Sequence, residues 1–196
     1  MFDAKTMDGV QEPVGFFDPL GFSKTSPQAL AWYRACELKH GRVAMLACTG
    51  FIVQGSGIHF SGPLAISTLY PKLSTVDVTF ADLGPASDPV AQWAAMPDLG
   101  KWQIISTIFL LELYAESQKP HYLRGGPIGR LPLLWDPVGQ VIRGCPVTDT
   151  LADEKRQKAR NSELSNGRLA MIGAMGFSAA STIEGSVPFF SGGVAH

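Results

Sequence analysis

The chain has 196 residues, 16 basic and 17 acidic side chains and a formal charge of -1, with a sequence pI near 6.4. That is enough length for one packed domain, and it gives no electrostatic basis for a nucleic-acid partner, because no basic stripe stands out and no aromatic-rich sheet pattern accompanies the arginines. Three cysteines, Cys36, Cys48 and Cys145, are too few and too irregular for a disulfide framework.

Residues 1–28 contain Gly and Pro without a sustained helical period, and read as an extended arm with short turns. Asp3, Asp8 and Glu12 are wrong for a signal or transit peptide at this start, which a processed precursor would equally explain. A first helix is expected over 29–55, beginning near Pro27 or Ala29 and closed by Gly55, Gly57, Gly62 and Pro63. Cys36 and Cys48 would then stand about 18 Å apart along its axis, too far to bridge. Five prolines make 59–99 a long loop with a short amphipathic turn around Val90 to Met96; such a loop usually serves a function or lies on an external surface. A second helix is expected over 100–118, with Trp102, Ile105, Ile108, Phe109 and Leu113 in its apolar body. Pro120 and the Gly125-Gly126-Pro127 turn close it, and 119–152 returns to loop. A third helix is expected over 153–183, charged at its start, before a tail over 184–196 whose Phe189-Phe190 suits an interface.

Two of these helices carry nearly the same text. Glu37-Leu-Lys-His-Gly-Arg-Val-Ala-Met-Leu-Ala-Cys-Thr-Gly-Phe51 and Glu163-Leu-Ser-Asn-Gly-Arg-Leu-Ala-Met-Ile-Gly-Ala-Met-Gly-Phe177 lie 126 residues apart and share eight of fifteen positions. Phe17-Asp-Pro-Leu-Gly21 precedes the first copy and Trp135-Asp-Pro-Val-Gly139 the second, so each unit is a turn followed by a helix. A pseudo-twofold pair of helices is the economical reading.

No window is continuously apolar for eighteen residues and the mean hydropathy is +0.10, so hydropathy alone identifies no membrane span. The small residues of the repeated cores nevertheless suit close packing of membrane helices, with a soluble helical bundle as the alternative. Lys119, Arg124, Arg130, Arg143, Lys155, Arg156, Lys158 and Arg160 make the second loop and the start of the third helix basic, whereas the first loop sets Lys72 against Asp77, Asp82, Asp88 and Asp98. Three spans would put these loops on opposite sides, in the positive-inside sense.

Glu37 and Arg42 are five apart, about 140° around a helix, as are Glu163 and Arg168, so neither pair is placed to meet on its own helix. Crossing the helices face to face lets Glu37 meet Arg168 and Glu163 meet Arg42, which offsets the cost of burying each charge. A carboxylate has two oxygens; one accepts from arginine and the other is a hard ligand suited to Mg²⁺. His40 and Asn166 follow the glutamates by three residues and add one donor each. These donors form no compact octahedral site, but each can act singly, as an axial ligand to a metal already held in a macrocycle. Separately, His40 reads equally as a packing histidine, and Asn166 as a polar interhelical contact.

The repeated Glu-Leu-x-[His/Asn]-Gly-Arg-[Val/Leu]-Ala-Met resembles the first and third membrane helices of the chlorophyll-binding light-harvesting antenna family, and the resemblance covers nearly the whole chain. The compact length and Gln118-Lys-Pro-His-Tyr-Leu-Arg-Gly-Gly126 resemble the chlorophyll a/c, fucoxanthin or peridinin branch, or its red-algal relatives, more than the green-plant branch. The resemblance implies an all-α membrane protein, a single domain over 1–196, with three transmembrane helices, the first and third crossing under pseudo-twofold symmetry, plus short amphipathic helices. It further implies a multi-pass protein of the chloroplast thylakoid membrane with a stromal N-terminus.

The same resemblance assigns roles. Glu37, His40, Glu163 and Asn166 match axial ligands of chlorophyll magnesium, with Arg168 and Arg42 paired to the glutamates. Gln54 matches a ligand about 26 Å further along the first helix; Ala180, at the equivalent place on the third, offers no donor. On the second helix Glu112 is the better match and Gln103 the weaker, its alternative being a capping or headgroup contact, while Glu116 reads as an interfacial charge. The Asp-Pro turns would cradle the ends of two carotenoids in grooves beside Gly41, Ala44, Ala47, Gly167, Ala170, Gly173 and Ala174, residues that also suit plain helix packing. The implied cofactors are chlorophyll a, chlorophyll c, a fucoxanthin- or peridinin-type carotenoid or other xanthophyll, and lipids. The implied partners are a photosystem core, photosystem I favoured, neighbouring antenna subunits and thylakoid lipids. Enzymatic activity is not expected, because no Ser-His-Asp set, compact metal cluster or phosphate loop can be assembled. The competing readings are an energy-dissipating relative of the same fold, and a pigment-free membrane assembly or transport protein.

Overall fold

Local capping chemistry sets the helix boundaries of the computed structural model, which describes residues 4–61, 79–80, 89–117, 119–126, 128–129, 153–183 and 185–187. The second Asp-Pro turn, Cys145 and Phe189-Phe190 lie outside the described residues. Helix α1 spans Pro27–Gly55 and starts at Pro27, the earlier of the two expected positions. Ser26 Oγ accepts from the Ala29 N–H at 3.3 Å, and Pro27 occupies the first turn, where its missing N–H costs nothing. It closes on Gly57 in the left-handed region at φ 73°, with the Ile58 N–H returning to the Val53 carbonyl.

The short helix α2 spans Pro89–Ala95, and α3 spans Asp98–Glu116 rather than 100–118. Pro97 and the acidic Asp98 favour a start two residues earlier, since a carboxylate in the first turn complements the helix dipole. Helix α4 spans Asp153–Thr182. Three 3₁₀ turns, Ala4–Thr6, Phe22–Lys24 and Tyr122–Arg124, and one isolated bridge between Gln11 and Gly15 complete the described structure.

The chain divides into two compact units. In the first, residues 1–44 and 110–171, the buried core is made by Ala31, Ala35, Ala44 and Leu164. Small side chains dominate because the α1 and α4 backbones nearly touch: a Cβ on Gly41 would lie 3.1 Å from the Gly167 Cα. In the second, residues 45–109 and 172–196, Phe51 and Phe177 stack at 4.9 Å with their planes 7° apart, and a Cβ on Gly173 would lie 3.4 Å from Cys48 Sγ. Gly41 with Gly167 and Phe51 with Phe177 are each the same position of the two copies, so the repeat pairs with itself in both units.

Large apolar side chains lie mainly outside. Trp102, Phe109 and Leu110 of α3 are 60% exposed or more, as are Leu46 and Leu169 on α1 and α4. Exposure on this scale marks a face built to meet something other than bulk water. No helix among the described residues is long and apolar enough to cross a membrane by averaged hydropathy. Charged residues in α1 and α4 pull those averages down, and their partners determine how that average is to be read.

Candidate functional site

The repeated charges meet across the two helices. Arg42 Nε donates to Glu163 Oε1 at 2.6 Å, and Arg168 Nε donates to Glu37 Oε1 at 2.7 Å. Each arginine spends a second nitrogen on a backbone carbonyl of an arm: Arg42 Nη1 on Gly129 and Arg168 Nη1 on Gly9, both at 2.9 Å. Gly9 at φ 92° and Gly129 at φ 77° are left-handed, which aims those carbonyls inward. A Cβ on Gly9 would come within 3.0 Å of Leu164 Cδ1, and one on Gly129 within 2.8 Å of Leu38 Cδ1; Leu38 and Leu164 are themselves equivalent in the repeat. The duplication therefore includes a glycine latch that sequence comparison missed, because Gly9 stands nine residues before Asp18 and Gly129 only seven before Asp136.

The copies differ at the second oxygen. Glu37 Oε2 accepts from Arg34 Nη1 at 2.7 Å, and Arg34 also donates to the Asp8 carbonyl. Arg160 occupies the place of Arg34 in the second copy, yet its Nε lies 3.1 Å from the Asp8 carboxylate. Glu163 Oε2 consequently carries no hydrogen bond among the described residues. The sequence predicts a free second oxygen on both glutamates; among the described residues Glu163 alone keeps one, whereas Glu37 retains a lone pair on an oxygen already shared with Arg34.

The middle helix breaks the symmetry again. Lys39 Nζ lies 2.6 Å from both Glu112 Oε2 and Glu116 Oε1 on α3, and Glu116 Oε2 meets His121 Nε2 at 2.8 Å. Ser165, equivalent to Lys39, instead donates to Gln11 Oε1 at 3.1 Å. Lys39 therefore ties Glu112 to α1 while leaving Glu112 Oε1 without a hydrogen bond among the described residues.

The other candidate donors are outward and singly held. His40 Nδ1 lies 2.8 Å from the Cys36 carbonyl, which can only accept; in the neutral ring Nδ1 therefore carries the hydrogen and Nε2 keeps an outward lone pair. Asn166 Nδ2 contacts Ser162 Oγ at 3.5 Å, one turn back like Cys36, and Oδ1 carries no hydrogen bond among the described residues. Gln54 lines a largely apolar cavity of about 330 Å³ with Val53, Ile58, Phe60, Trp93 and Met96. Gln103 is exposed on α3; among the described residues its side chain carries no hydrogen bond, while its backbone carbonyl accepts from Thr107 Oγ1 at 2.8 Å.

The first Asp-Pro turn borders a wider cleft of about 760 Å³ shared with Phe17, Tyr33, Arg34, Glu37 and Arg168. Asp18 shapes it by accepting from the backbone N–H of Phe22 at 3.0 Å and of Ser23 at 2.8 Å. The Ser23 side chain, then these backbone bonds, hold the Asp18 carboxyl below the usual carboxylate range.

Among the described residues no three His, Cys, Asp or Glu side chains gather into a metal site. Each donor stands apart from the others, and Glu37, His40, Glu112, Glu163 and Asn166 each have another polar atom tied to protein. That set fits a hard cation that needs one axial ligand apiece, as a magnesium already held in a flat macrocycle does.

A family model described as chlorophyll A-B binding protein matches residues 3–182. The chain belongs to that light-harvesting family. Its relatives include a fucoxanthin-chlorophyll a-c binding protein of Trieres chinensis, 31% identical over 187 residues, which cover 92% of this chain and 80% of that one. Another, from Chattonella marina var. antiqua, is 37% identical over 159 residues, covering 80% of this chain and 59% of the relative, so the match spans less than two thirds of that protein. A third, protein C of Phaeodactylum tricornutum, is 31% identical over 176 residues, 86% of this chain and 75% of that protein. This light-harvesting chain falls in the fucoxanthin-type branch, whose members are antenna proteins without catalytic activity.

Proposed function

We propose that this chain is an antenna subunit of the chloroplast thylakoid membrane that binds chlorophyll a, chlorophyll c and carotenoids and delivers excitation to a photosystem core, which we take to be that of photosystem I, and to neighbouring antenna subunits. The observation that carries the reading is the crossed Glu37–Arg168 and Glu163–Arg42 pairing, which cancels charge between helices while donor atoms remain outside it.

Helices α1, α3 and α4 act as three membrane spans with the N-terminus stromal. At 29, 19 and 30 residues they reach about 28 to 45 Å at the usual rise, against a hydrocarbon thickness near 30 Å. Averaged hydropathy counts Glu37, Arg42, Glu163 and Arg168 as four charges, but they form two ion pairs, and a paired charge avoids most of the several kcal/mol each ion costs when desolvated alone. The exposed apolar face of α3 meets lipid and pigment.

Glu37, His40, Gln54, Gln103, Glu112, Glu163 and Asn166 would each hold a chlorophyll by giving its magnesium one donor atom. Arg42 and Arg168 hold the glutamates in place, and the carbonyls of Gly129 and Gly9 hold the arginines. Gly41, Ala44, Ala47, Gly167, Ala170, Gly173 and Ala174 leave slots for a fucoxanthin- or peridinin-type xanthophyll, with the cleft beside Asp18 receiving one end. Bound pigments supply the visible absorption and the transfer of excitation. The protein's part is to fix their positions and exclude water.

Purification from detergent-solubilised thylakoids, followed by pigment extraction, tests this. A folded preparation carrying chlorophylls a and c and a xanthophyll is expected, and Glu163→Leu should lose chlorophyll. A colourless folded chain would instead mean that the ion pairs only lock helices.

A further inference from the structure

The two glutamates of the repeat are equivalent in sequence but not in charge environment. Glu37 lies between two guanidinium groups, Arg168 on Oε1 and Arg34 on Oε2, each at 2.7 Å. Among the described residues, Glu163 has Arg42 alone, on Oε1. The nearest counterpart of Arg34 is Arg160, which turns to the Asp8 carboxylate and is 58% exposed, whereas the Arg34 side chain is only 10% exposed.

We propose that Arg34 is a positioning residue that makes the Glu37 chlorophyll site electrostatically distinct from the Glu163 site; this rests on the reading of both glutamates as magnesium ligands. Among the described residues, two cations against one carboxylate leave local positive charge beside the Glu37 site, while one against one leaves the Glu163 site neutral. An oxygen that already accepts from Arg34 is a weaker and more directionally restricted donor than one with both lone pairs open. Low dielectric amplifies the difference, because a charge a few ångströms from a ring is poorly screened there. Two rings on related ligands should therefore absorb at different energies.

The N-terminal arm decides which arginine serves the ligand. The Asp8 carbonyl accepts from Arg34 while the Asp8 carboxylate draws Arg160 off. The Gly9 N–H donates to Asn161 Oδ1 at 2.8 Å and the Gly9 carbonyl accepts from Arg168, which fixes the arm between both copies.

The test uses the full chain assembled with chlorophylls a and c and xanthophyll, read by chlorophyll per polypeptide and by low-temperature absorption. Glu37→Leu and Glu163→Leu first identify the spectral component lost with each ligand. Arg34→Gln should then displace the Glu37 component at unchanged chlorophyll count and leave the Glu163 component in place. Arg34→Lys should restore most of the native position, and Arg160→Gln should move neither. Arg34→Met, which keeps the stem, replaces the glutamine variant if that one fails to assemble. No displacement in the neutral variants, or an equal displacement of both components, overturns the role of Arg34 alone. A Glu37→Leu chain that keeps its full chlorophyll overturns the ligand reading and the role of Arg34 with it.

Discussion

The first and second copies of the repeat share a scaffold and differ in their surroundings. Both cross an arginine to the other copy's glutamate, both latch it on a left-handed glycine, and both place the glycine after His40 or Asn166 at the closest backbone approach. Around the first copy stand Arg34 and the Lys39 contacts to α3; around the second, the same positions are Arg160 and Ser165, which turn to the arm. Duplication thus sets the frame, and the elements added outside it, the arm and the middle helix, make the two halves chemically different.

Disrupting the frame should cost most. Arg42→Leu leaves the Glu163 carboxylate without its cation, and truncation of one partner of a buried pair costs about 3 to 5 kcal/mol; partial exposure of both groups puts the expectation toward the lower end, read as a lowered thermal midpoint by circular dichroism. Gly41→Val comes next, because its side chain must displace the Gly167 backbone; overpacking of that kind costs about 1 to 3 kcal/mol, and Gly176→Val, which has open space at its Cβ, is the control.

Disrupting the differences should cost less. Lys39→Met removes both contacts to α3, but the groups are 40% exposed or more, so a loss of up to about 1 kcal/mol that shrinks with added salt is expected in detergent titrations. The smallest effect concerns the first Asp-Pro turn. The Asp18 carboxyl is held below its ordinary range in the folded chain, so its contribution is present above the unfolded value and is lost as pH falls through the lowered folded one. Acid should loosen this turn in the native chain, measured by amide exchange at Phe22 and Ser23, whereas Asp18→Asn should remove that dependence.

The helices were readable because Pro27 and Gly57 punctuate the first and because the text repeats, whereas α3 starts at Asp98, two residues before the position that the sequence predicts. The crossed pairs were readable too, since a five-residue spacing leaves Glu37 and Arg42 no partner on their own helix. Arg34 was not, because Arg160 stands at the same spacing and behaves differently; the choice is made by Asp8, which lies 26 residues before Arg34. The Lys39 contacts with Glu112 and Glu116 were hidden for the same reason, a separation of more than seventy residues with no pattern to connect the ends. No described helix reaches the hydropathy of a membrane span, and for α1 and α4 such an average sums charges residue by residue and cannot register that Glu37, Arg42, Glu163 and Arg168 pair across helices.

The most direct test exchanges one pair: Glu163→Arg combined with Arg42→Glu, with chlorophyll counted per folded polypeptide. The swap preserves a cross-helix ion pair but moves the carboxylate away from position 163, so native helicity with at least one chlorophyll fewer is predicted. Native helicity with the full chlorophyll complement would contradict the account, because the pair would then serve only to join the helices.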